Sequence, residues 1–118
     1  MKQVSIIGVG LIGGSFALDL RHHIPEVCIT GIDHNETHLT EALSLGIVDK
    51  TGDLNTLVTA DLVVLAIPVN SALKVLPKVL DLISDQAVVI DMGSTKEAIC
   101  KVVSKHPRRG QFLATHPI

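Results

Sequence analysis

The feature that most constrains this chain is a glycine-rich turn between an apolar run and a helical segment near the N-terminus. The run from Val4 to Ile7 is rich in β-branched residues, as in a strand that is buried on both faces. Gly8-Val9-Gly10-Leu11-Ile12-Gly13 follows with the spacing GxGxxG, and a helix is predicted from Leu11 to about His23. Asp33 ends the next apolar run, about 20 residues after the last glycine. This order indicates the first strand–helix–strand unit of a dinucleotide-binding sheet.

The three glycines of the motif suit the close approach of a pyrophosphate. Gly8 permits a tight turn, Gly10 leaves space for the phosphates against the backbone, and Gly13 permits close packing of the helix on the strand. The N-terminus of the helix offers free N–H groups and the positive end of the helix dipole to the same phosphates.

Asp33 predicts which dinucleotide binds. A carboxylate at this strand end can accept hydrogen bonds from both hydroxyls of an adenosine ribose, and its charge repels a 2′-phosphate. His34 and Asn35 follow it, with no arginine nearby, so NAD is expected in preference to NADP. Two other interpretations stay open at this point. The glycines can be turn residues only, or the chain can be another nucleotide-type binder, such as a methyltransferase or a regulatory NAD-sensing domain.

Apolar runs and helical segments alternate along the whole chain. Further strands are predicted at 27–32, 62–67, 87–91 and 111–115, with a short one near Ile47 and Val48. Further helices are predicted between the N-cap Asn35 and Gly46, over 71–83 and over 96–105, with a helical turn at 54–58. Uniformly apolar strands are typical of a parallel sheet that helices cover on both faces. The predicted fold class is therefore α/β, a Rossmann-type doubly wound, mostly parallel sheet in a single domain over residues 1–118.

Two details of the predicted helices can be tested by the structure. Leu11, Ser15 and Leu18 lie on one stripe of the first helix, where an apolar face is expected. Pro77 lies inside the apolar pattern of 71–83, where proline removes a backbone donor and clashes with the preceding turn. We therefore expect a break there, with Pro77 as the first position of a second short segment.

Composition excludes several classes of protein. Ten Lys and Arg residues against twelve Asp and Glu give a net charge of -2, and Phe16 and Phe112 are the only aromatic residues. Neither the basic surface nor the stacking platform of a nucleic-acid-binding protein is expected. No apolar run reaches the roughly 18 residues of a membrane span, so no membrane association is expected. Cys28 and Cys100 are far apart, with no metal-ligand spacing, which indicates a reducing cytoplasm and no metal site.

Later segments place further side chains at strand ends, the edge where an open α/β sheet binds its ligands. Ser94 follows the strand at 87–91, and His116 follows the last strand. An N-cap role for Ser94 and a backbone-capping role for His116 are the simpler alternatives. The strand at 62–67 ends in a rigid proline turn beside the expected crevice. The predicted cofactor-binding residues are Gly8, Gly10, Leu11, Ile12, Gly13, Asp33, Ile67 and Pro68.

These segments together resemble the prephenate/arogenate dehydrogenase family. The resemblance covers the whole chain and rests on GVGLIGGS, the strand-end Asp33, ADLVVLAIPV, IDMGSTK and THPI. It implies oxidative decarboxylation of prephenate to 4-hydroxyphenylpyruvate, a step of tyrosine biosynthesis, with NAD accepting the hydride. His116 matches the catalytic histidine of the family, a base beside the substrate hydroxyl. Ser94 matches the serine that hydrogen-bonds near the nicotinamide and that hydroxyl.

The resemblance also implies a domain organisation. Members of the family carry a helical second domain that dimerises and completes the substrate site, and this chain looks like the first domain without it. A homodimer is therefore expected for the full-length protein, and no turnover for this chain alone. Three alternatives stay open: an arogenate dehydrogenase, another two-domain NAD(P) enzyme such as a β-hydroxyacid dehydrogenase or an imine reductase, and a stand-alone dinucleotide-sensing module.

Overall fold

The computed structural model describes residues 3–92 and 106–114. The strands in these ranges are β1 (Gln3–Ile7), β2 (Cys28–Ile32), β3 (Lys50–Thr51), β4 (Leu62–Leu65), β5 (Val88–Asp91) and β6 (Phe112–Ala114). The helices are α1 (Leu11–His23), α2 (Glu36–Ser44) and α3 (Val69–Leu82), with short 3-10 helices at Leu54–Thr59 and Arg109–Gln111. None of the helices in the described part of the chain combines the length and hydropathy that a membrane span requires.

The strands form one parallel sheet in the order β3-β2-β1-β4-β5-β6. The chain moves outward from β1 to one side and then returns to pair β4 on its other side, so the strand order reverses between β1 and β4. Ile7 is in register with both Ile32 and Leu65, and Leu65 with Asp91, which aligns four strand ends at one edge. This confirms the predicted Rossmann-type doubly wound sheet, and ligands of such sheets bind at the point of reversal.

The sheet is buried on both faces, and its central strand β4 is apolar at every position. On β4, Leu62 and Val64 join the core cluster beneath α1 and α2, whereas Val63 and Leu65 join the cluster beneath α3. All four side chains are buried. Alternate residues of a strand point to opposite faces, so a continuous apolar run supplies both cores at once.

Helix α1 packs on the sheet through its small residues. Gly13, Gly14 and Ala17 are its buried positions, whereas Leu11 is 88% exposed and Leu18 is 52% exposed. The expectation of an apolar face along Leu11, Ser15 and Leu18 was therefore wrong. At Gly13 the helix lies so close to the turn after β1 that a Cβ would overlap the carbonyl oxygen of Gly8, and Leu11 and Leu18 are turned outward.

Helix α3 is continuous through Pro77, so the predicted break at that residue was wrong. A proline in a helix interior removes one backbone hydrogen bond and costs about 3 kcal/mol. Leu76, Val79 and Leu80, on either side of it, are completely buried. Each such side chain contributes about 1.5–3 kcal/mol, so their burial outweighs the cost of the proline.

The connections between elements follow local capping rules. The Asn35 side chain accepts hydrogen bonds from the N–H groups of Thr37 (2.9 Å) and His38 (3.2 Å), which confirms it as the N-cap of α2. The third strand lies at Lys50–Thr51 and not at the predicted Ile47 and Val48, because the N–H groups of those two residues bond back to the carbonyl of Ala42. The helix predicted over 96–105 lies outside the described residues.

Candidate functional site

The turn after β1 is built around a glycine with a positive φ. Gly8 has a φ of 95°, and its N–H donates to the carbonyl of Ile32 at 2.7 Å, which joins the turn to the end of β2. A Cβ at Gly8 would lie 2.5 Å from the carbonyl oxygen of Ala66 and 2.7 Å from the side chain of Ile67. The turn therefore lies directly against the chain that leaves β4, and both conformation and space require glycine.

Gly13 and Gly10 meet opposite surroundings. A Cβ at Gly13 would overlap the carbonyl oxygen of Gly8 and would lie 3.2 Å from the Cβ of Ala66, so this glycine sets the distance between α1 and the sheet. A Cβ at Gly10 would meet no atom within 4 Å. The space in front of Gly10 is open, and a side chain there would fill it. The geometry at Gly13 matches the close packing that the sequence predicts there, and the phosphate-binding role of Gly10 stays a prediction.

The N-terminus of α1 is open toward this space. Gly10 is the N-cap and supplies no side-chain hydrogen bond, and the first helical bond runs from the N–H of Gly14 to its carbonyl at 2.8 Å. Leu11 and Ile12, the first two helical residues, are both exposed. Uncapped N–H groups at the positive end of a 13-residue helix form a site that favours an anion.

The carboxylate of Asp33 lies next to this N-terminus. Its Oδ2 accepts a hydrogen bond from the N–H of Val9, inside the glycine turn, at 3.1 Å. Its Oδ1 accepts a hydrogen bond from the N–H of Asn35 at 2.9 Å. The side chain is only 8% exposed. The end of β2 and the glycine turn of β1 are thus joined through one carboxylate.

Asp33 is held in its charged form. Partial burial by itself raises the pKa of this carboxyl, but the N–H groups of Asn35 and Val9 and the ring of His38 stabilise the carboxylate, and the pKa is lowered overall. The side chain can therefore act only as a hydrogen-bond acceptor at neutral pH.

Two histidines flank this carboxylate, which the sequence did not predict. His38, in the first turn of α2, approaches Oδ2 with its Nδ1 at 3.3 Å. His34 lies 3.8 Å from Oδ1 and is almost fully exposed. The position of His38 three residues after the N-cap Asn35 is the one signal that could have indicated it, because the first turn of the helix faces the end of the preceding strand.

The other half of the crevice is formed by the end of β4. Ala66 donates its N–H to the carbonyl of Ile7 at 2.8 Å, which draws the two strand ends together. Ile67 packs partly against the core beneath α3, and the exposed Pro68 is the N-cap of that helix. Ile67 and Pro68 therefore lie at the edge where the sequence predicts them. Ser94 and His116, the predicted catalytic residues, lie outside the described residues.

A depression of about 300 Å³ adjoins the glycine turn on the face of α1 and α2. Its lining is mainly apolar, with two titratable side chains, and consists of Val9, Gly10, Leu11, His38, Glu41, Ala42, Leu45 and Ile47. Among the residues that the structure describes, no group of three or more His, Cys, Asp or Glu side chains could hold a metal ion. The arrangement is suited to bind a phosphate-containing ligand that also carries hydroxyl groups.

Comparison with known proteins identifies similar chains. A family profile described as "Prephenate dehydrogenase, nucleotide-binding domain" matches residues 16–118. The chain is 33% identical over 123 residues to the prephenate dehydrogenase of Bacillus subtilis (strain 168), which covers 100% of this chain and 33% of that protein. The chain spans about a third of the length of the curated relatives it matches.

Two solved structures share the fold closely. One is the prephenate dehydrogenase from A. aeolicus in complex with hydroxyphenyl propionate and NAD+, with a TM-score of 0.89 and 32% identity over 100% of this chain and 42% of that one. The other is the Synechocystis arogenate dehydrogenase, with a TM-score of 0.86 and 32% identity over 98% of this chain and 40% of that one. The first of these similarities covers the whole chain, including the glycine turn, which precedes the residues that the family profile matches.

Proposed function

The chain belongs to the family of prephenate dehydrogenase nucleotide-binding domains, and on that premise we propose that it binds NAD and serves a dehydrogenase acting on prephenate or arogenate. The observation that carries the proposal is the carboxylate of Asp33, fixed beside the open N-terminus of α1 by the N–H of Val9. The two groups match two parts of the adenosine diphosphate half of NAD. The carboxylate suits the hydroxyls of the ribose, and the uncapped helix N-terminus suits the pyrophosphate.

The described residues fit this cofactor. The space in front of Gly10 accepts a pyrophosphate, and the N–H groups at the start of α1 would donate to it. Asp33 would accept hydrogen bonds from the ribose hydroxyls, while its charge disfavours a 2′-phosphate. Ile67 and Pro68, at the end of β4, would border the half that carries the nicotinamide. When bound, NAD+ supplies the hydride acceptor of the reaction.

The reaction of such a dehydrogenase requires a base beside the hydroxyl that becomes a carbonyl. We assign this role to His116, because histidine can exchange a proton near neutral pH, and we assign to Ser94 the orientation of the same hydroxyl. Both assignments come from the match of the GSTK and HPI segments to the family. We propose that the groups that bind the carboxylates of the substrate belong to a further, helical domain.

The same reasoning extends to assembly and location. The proposed substrate site must also be closed on the side opposite Ser94 and His116, and we propose that the helical domain closes it. Since this domain dimerises in members of the family, we propose that the complete enzyme is a homodimer. We also propose a cytoplasmic location. The reaction uses NAD and a small polar acid, and the two cysteines are widely separated in the sequence, as suits a reducing compartment.

The cofactor proposal is tested by titration calorimetry of the 118-residue chain with NAD and with NADP. NAD should bind more tightly than NADP. Asp33→Ala should weaken NAD binding by about 1.5–3 kcal/mol, the usual value for hydrogen bonds to a charged group. Asp19→Ala, which removes an exposed carboxylate on α1, serves as the matched control and should leave the affinity unchanged. Equal or tighter binding of NADP by the unmodified chain would refute the assignment of Asp33.

A further inference from the structure

The carboxylate of Asp33 has little acceptor capacity left on one of its oxygens. Oδ2 accepts from the N–H of Val9 at 3.1 Å and faces the Nδ1 of His38 at 3.3 Å. An ionised carboxylate can only accept, so Nδ1 of His38 carries the hydrogen of this contact. Oδ1 accepts from the N–H of Asn35 at 2.9 Å, with the exposed ring of His34 further away at 3.8 Å.

This arrangement has a consequence for a ribose. A diol that binds a carboxylate through both hydroxyls needs one free acceptor position on each oxygen. Oδ1 has such a position, whereas both lone pairs of Oδ2 are used by Val9 and His38. The backbone N–H of Val9 is fixed in the glycine turn. The His38 ring, 46% exposed on the surface of α2, is the partner that can move away.

We propose that His38 is a specificity-determining residue that competes with the ribose for Asp33 and, when protonated, offsets the repulsion between Asp33 and a 2′-phosphate. The inference rests on the proposed function of Asp33. The contact between His38 and Asp33 should have two effects. It makes the binding of NAD weaker than it would be without the contact, and it reduces the preference for NAD over NADP as the pH falls.

Among the described side chains that line the depression beside the glycine turn, His38 is the one that can carry a positive charge. Asp33 faces it from the end of β2, His34 lies 3.8 Å from the other oxygen of that carboxylate, and Glu41 lies one turn further along α2 in the same depression. The turn from β1 contributes only backbone and apolar side chains, and no lysine or arginine is among the described residues that line the depression. Histidine is the side chain whose ordinary pKa lets it gain a positive charge between about pH 8 and pH 5.

Two substitutions separate the hydrogen bond from the charge. His38→Leu removes both, and His38→Gln keeps a neutral N–H donor that cannot be protonated. His22→Leu, which removes an exposed imidazole near the C-terminus of α1, is the matched control. Each protein is titrated with NAD and with NADP in a calorimeter at about pH 8 and at about pH 5.5, and circular dichroism verifies that it is folded.

At the higher pH we expect His38→Leu to bind NAD about two- to fivefold more tightly than the unmodified chain, the range of a partly exposed charged contact. His38→Gln should stay close to the unmodified chain there. The 2′-phosphate itself gains a proton near pH 6, so the informative quantity is the difference between proteins. Between about pH 8 and about pH 5.5, the ratio of NAD affinity to NADP affinity should decrease in the unmodified chain. This decrease should be about threefold larger than the decrease in either His38 variant.

The outcomes are distinguishable. Weaker NAD binding by His38→Leu would show that His38 contacts the cofactor and does not compete with it, which overturns the inference. An identical pH response of the ratio in all four proteins would overturn it as well. If the unmodified chain binds neither dinucleotide, the proposed function itself fails, and the inference fails with it.

Discussion

Gly13 and Gly14 are neighbours on α1, yet replacement of each by alanine should change the stability of the fold in opposite directions. Both are buried against the sheet. A Cβ at Gly14 would meet its nearest atom, the Cδ1 of Ile47, at 3.8 Å, an ordinary contact with a flexible side chain. A Cβ at Gly13 would overlap the backbone oxygen of Gly8, which cannot rotate away.

The expected magnitudes follow from these contacts. Alanine is favoured over glycine within a helix by up to about 1 kcal/mol, a gain that both substitutions share. Gly14→Ala retains this gain and should raise the free energy of unfolding by about 1 kcal/mol. Gly13→Ala also forces α1 away from β1. Overpacking against backbone should cost about 3 kcal/mol, which leaves a net loss of about 2 kcal/mol.

The measurement is urea unfolding of both variants and of the unmodified chain, followed by far-ultraviolet circular dichroism. In a parallel thermal unfolding experiment, the midpoint temperature should move by roughly 3–5 °C per kcal/mol, upward for Gly14→Ala and downward for Gly13→Ala. If both substitutions change stability by the same amount and in the same direction, the close approach of α1 to the turn at Gly8 does not determine their effect, and the reasoning is refuted.

Three further expectations follow from the same structure. Burial by itself raises the pKa of Asp49, but the N–H of Ile29 and the guanidinium of Arg21 lower this pKa overall. The ionised Asp49 therefore contributes fully to the stability of the fold above the ordinary carboxyl pKa, and this contribution is lost as the pH falls through the lowered pKa. The urea concentration at the unfolding midpoint should therefore decrease when the pH is lowered below about 4, and this decrease should be smaller in Asp49→Asn. An equal decrease in both proteins would contradict the expectation. Pro77→Ala should raise the free energy of unfolding by about 1–3 kcal/mol in the same assay, because it restores a backbone donor inside α3; a loss of stability would show that the proline ring is needed for packing. In a full-length enzyme, His116→Asn should lower kcat by about 10²–10⁴ without changing NAD affinity, and near-normal turnover across the pH range would show that His116 is not the base.

The elements that the sequence predicted well depend on neighbouring residues. The apolar run before Gly8, the helix beginning at Leu11 and the N-cap Asn35 were all found where local pattern places them. Capping, turn conformation and strand hydrophobicity act over a few residues, so one segment of sequence contains the physical reason for each. The alternation of strands and helices then restricts the sheet to few topologies, of which the doubly wound order is one.

The errors of prediction concern contacts between distant segments. The buried face of α1 could not be identified from its own sequence, because the distance between helix and sheet is set by the backbone of Gly8 and by Ala66. The continuity of α3 through Pro77 depends on the burial of Leu76 and Leu80, which only the packed core supplies.

The sequence by itself determined that the chain forms a parallel α/β sheet with a glycine-rich turn and an acidic strand end, since these features are encoded in short segments. Only the tertiary structure decided which groups surround that acid. The N–H of Val9 and the ring of His38 reach Asp33 from separate elements, and their distances arise from the packing of β1, β2 and α2 together. A hydrogen bond has a range of about 3 Å, so a contact between elements exists only once the whole sheet and its helices are in place.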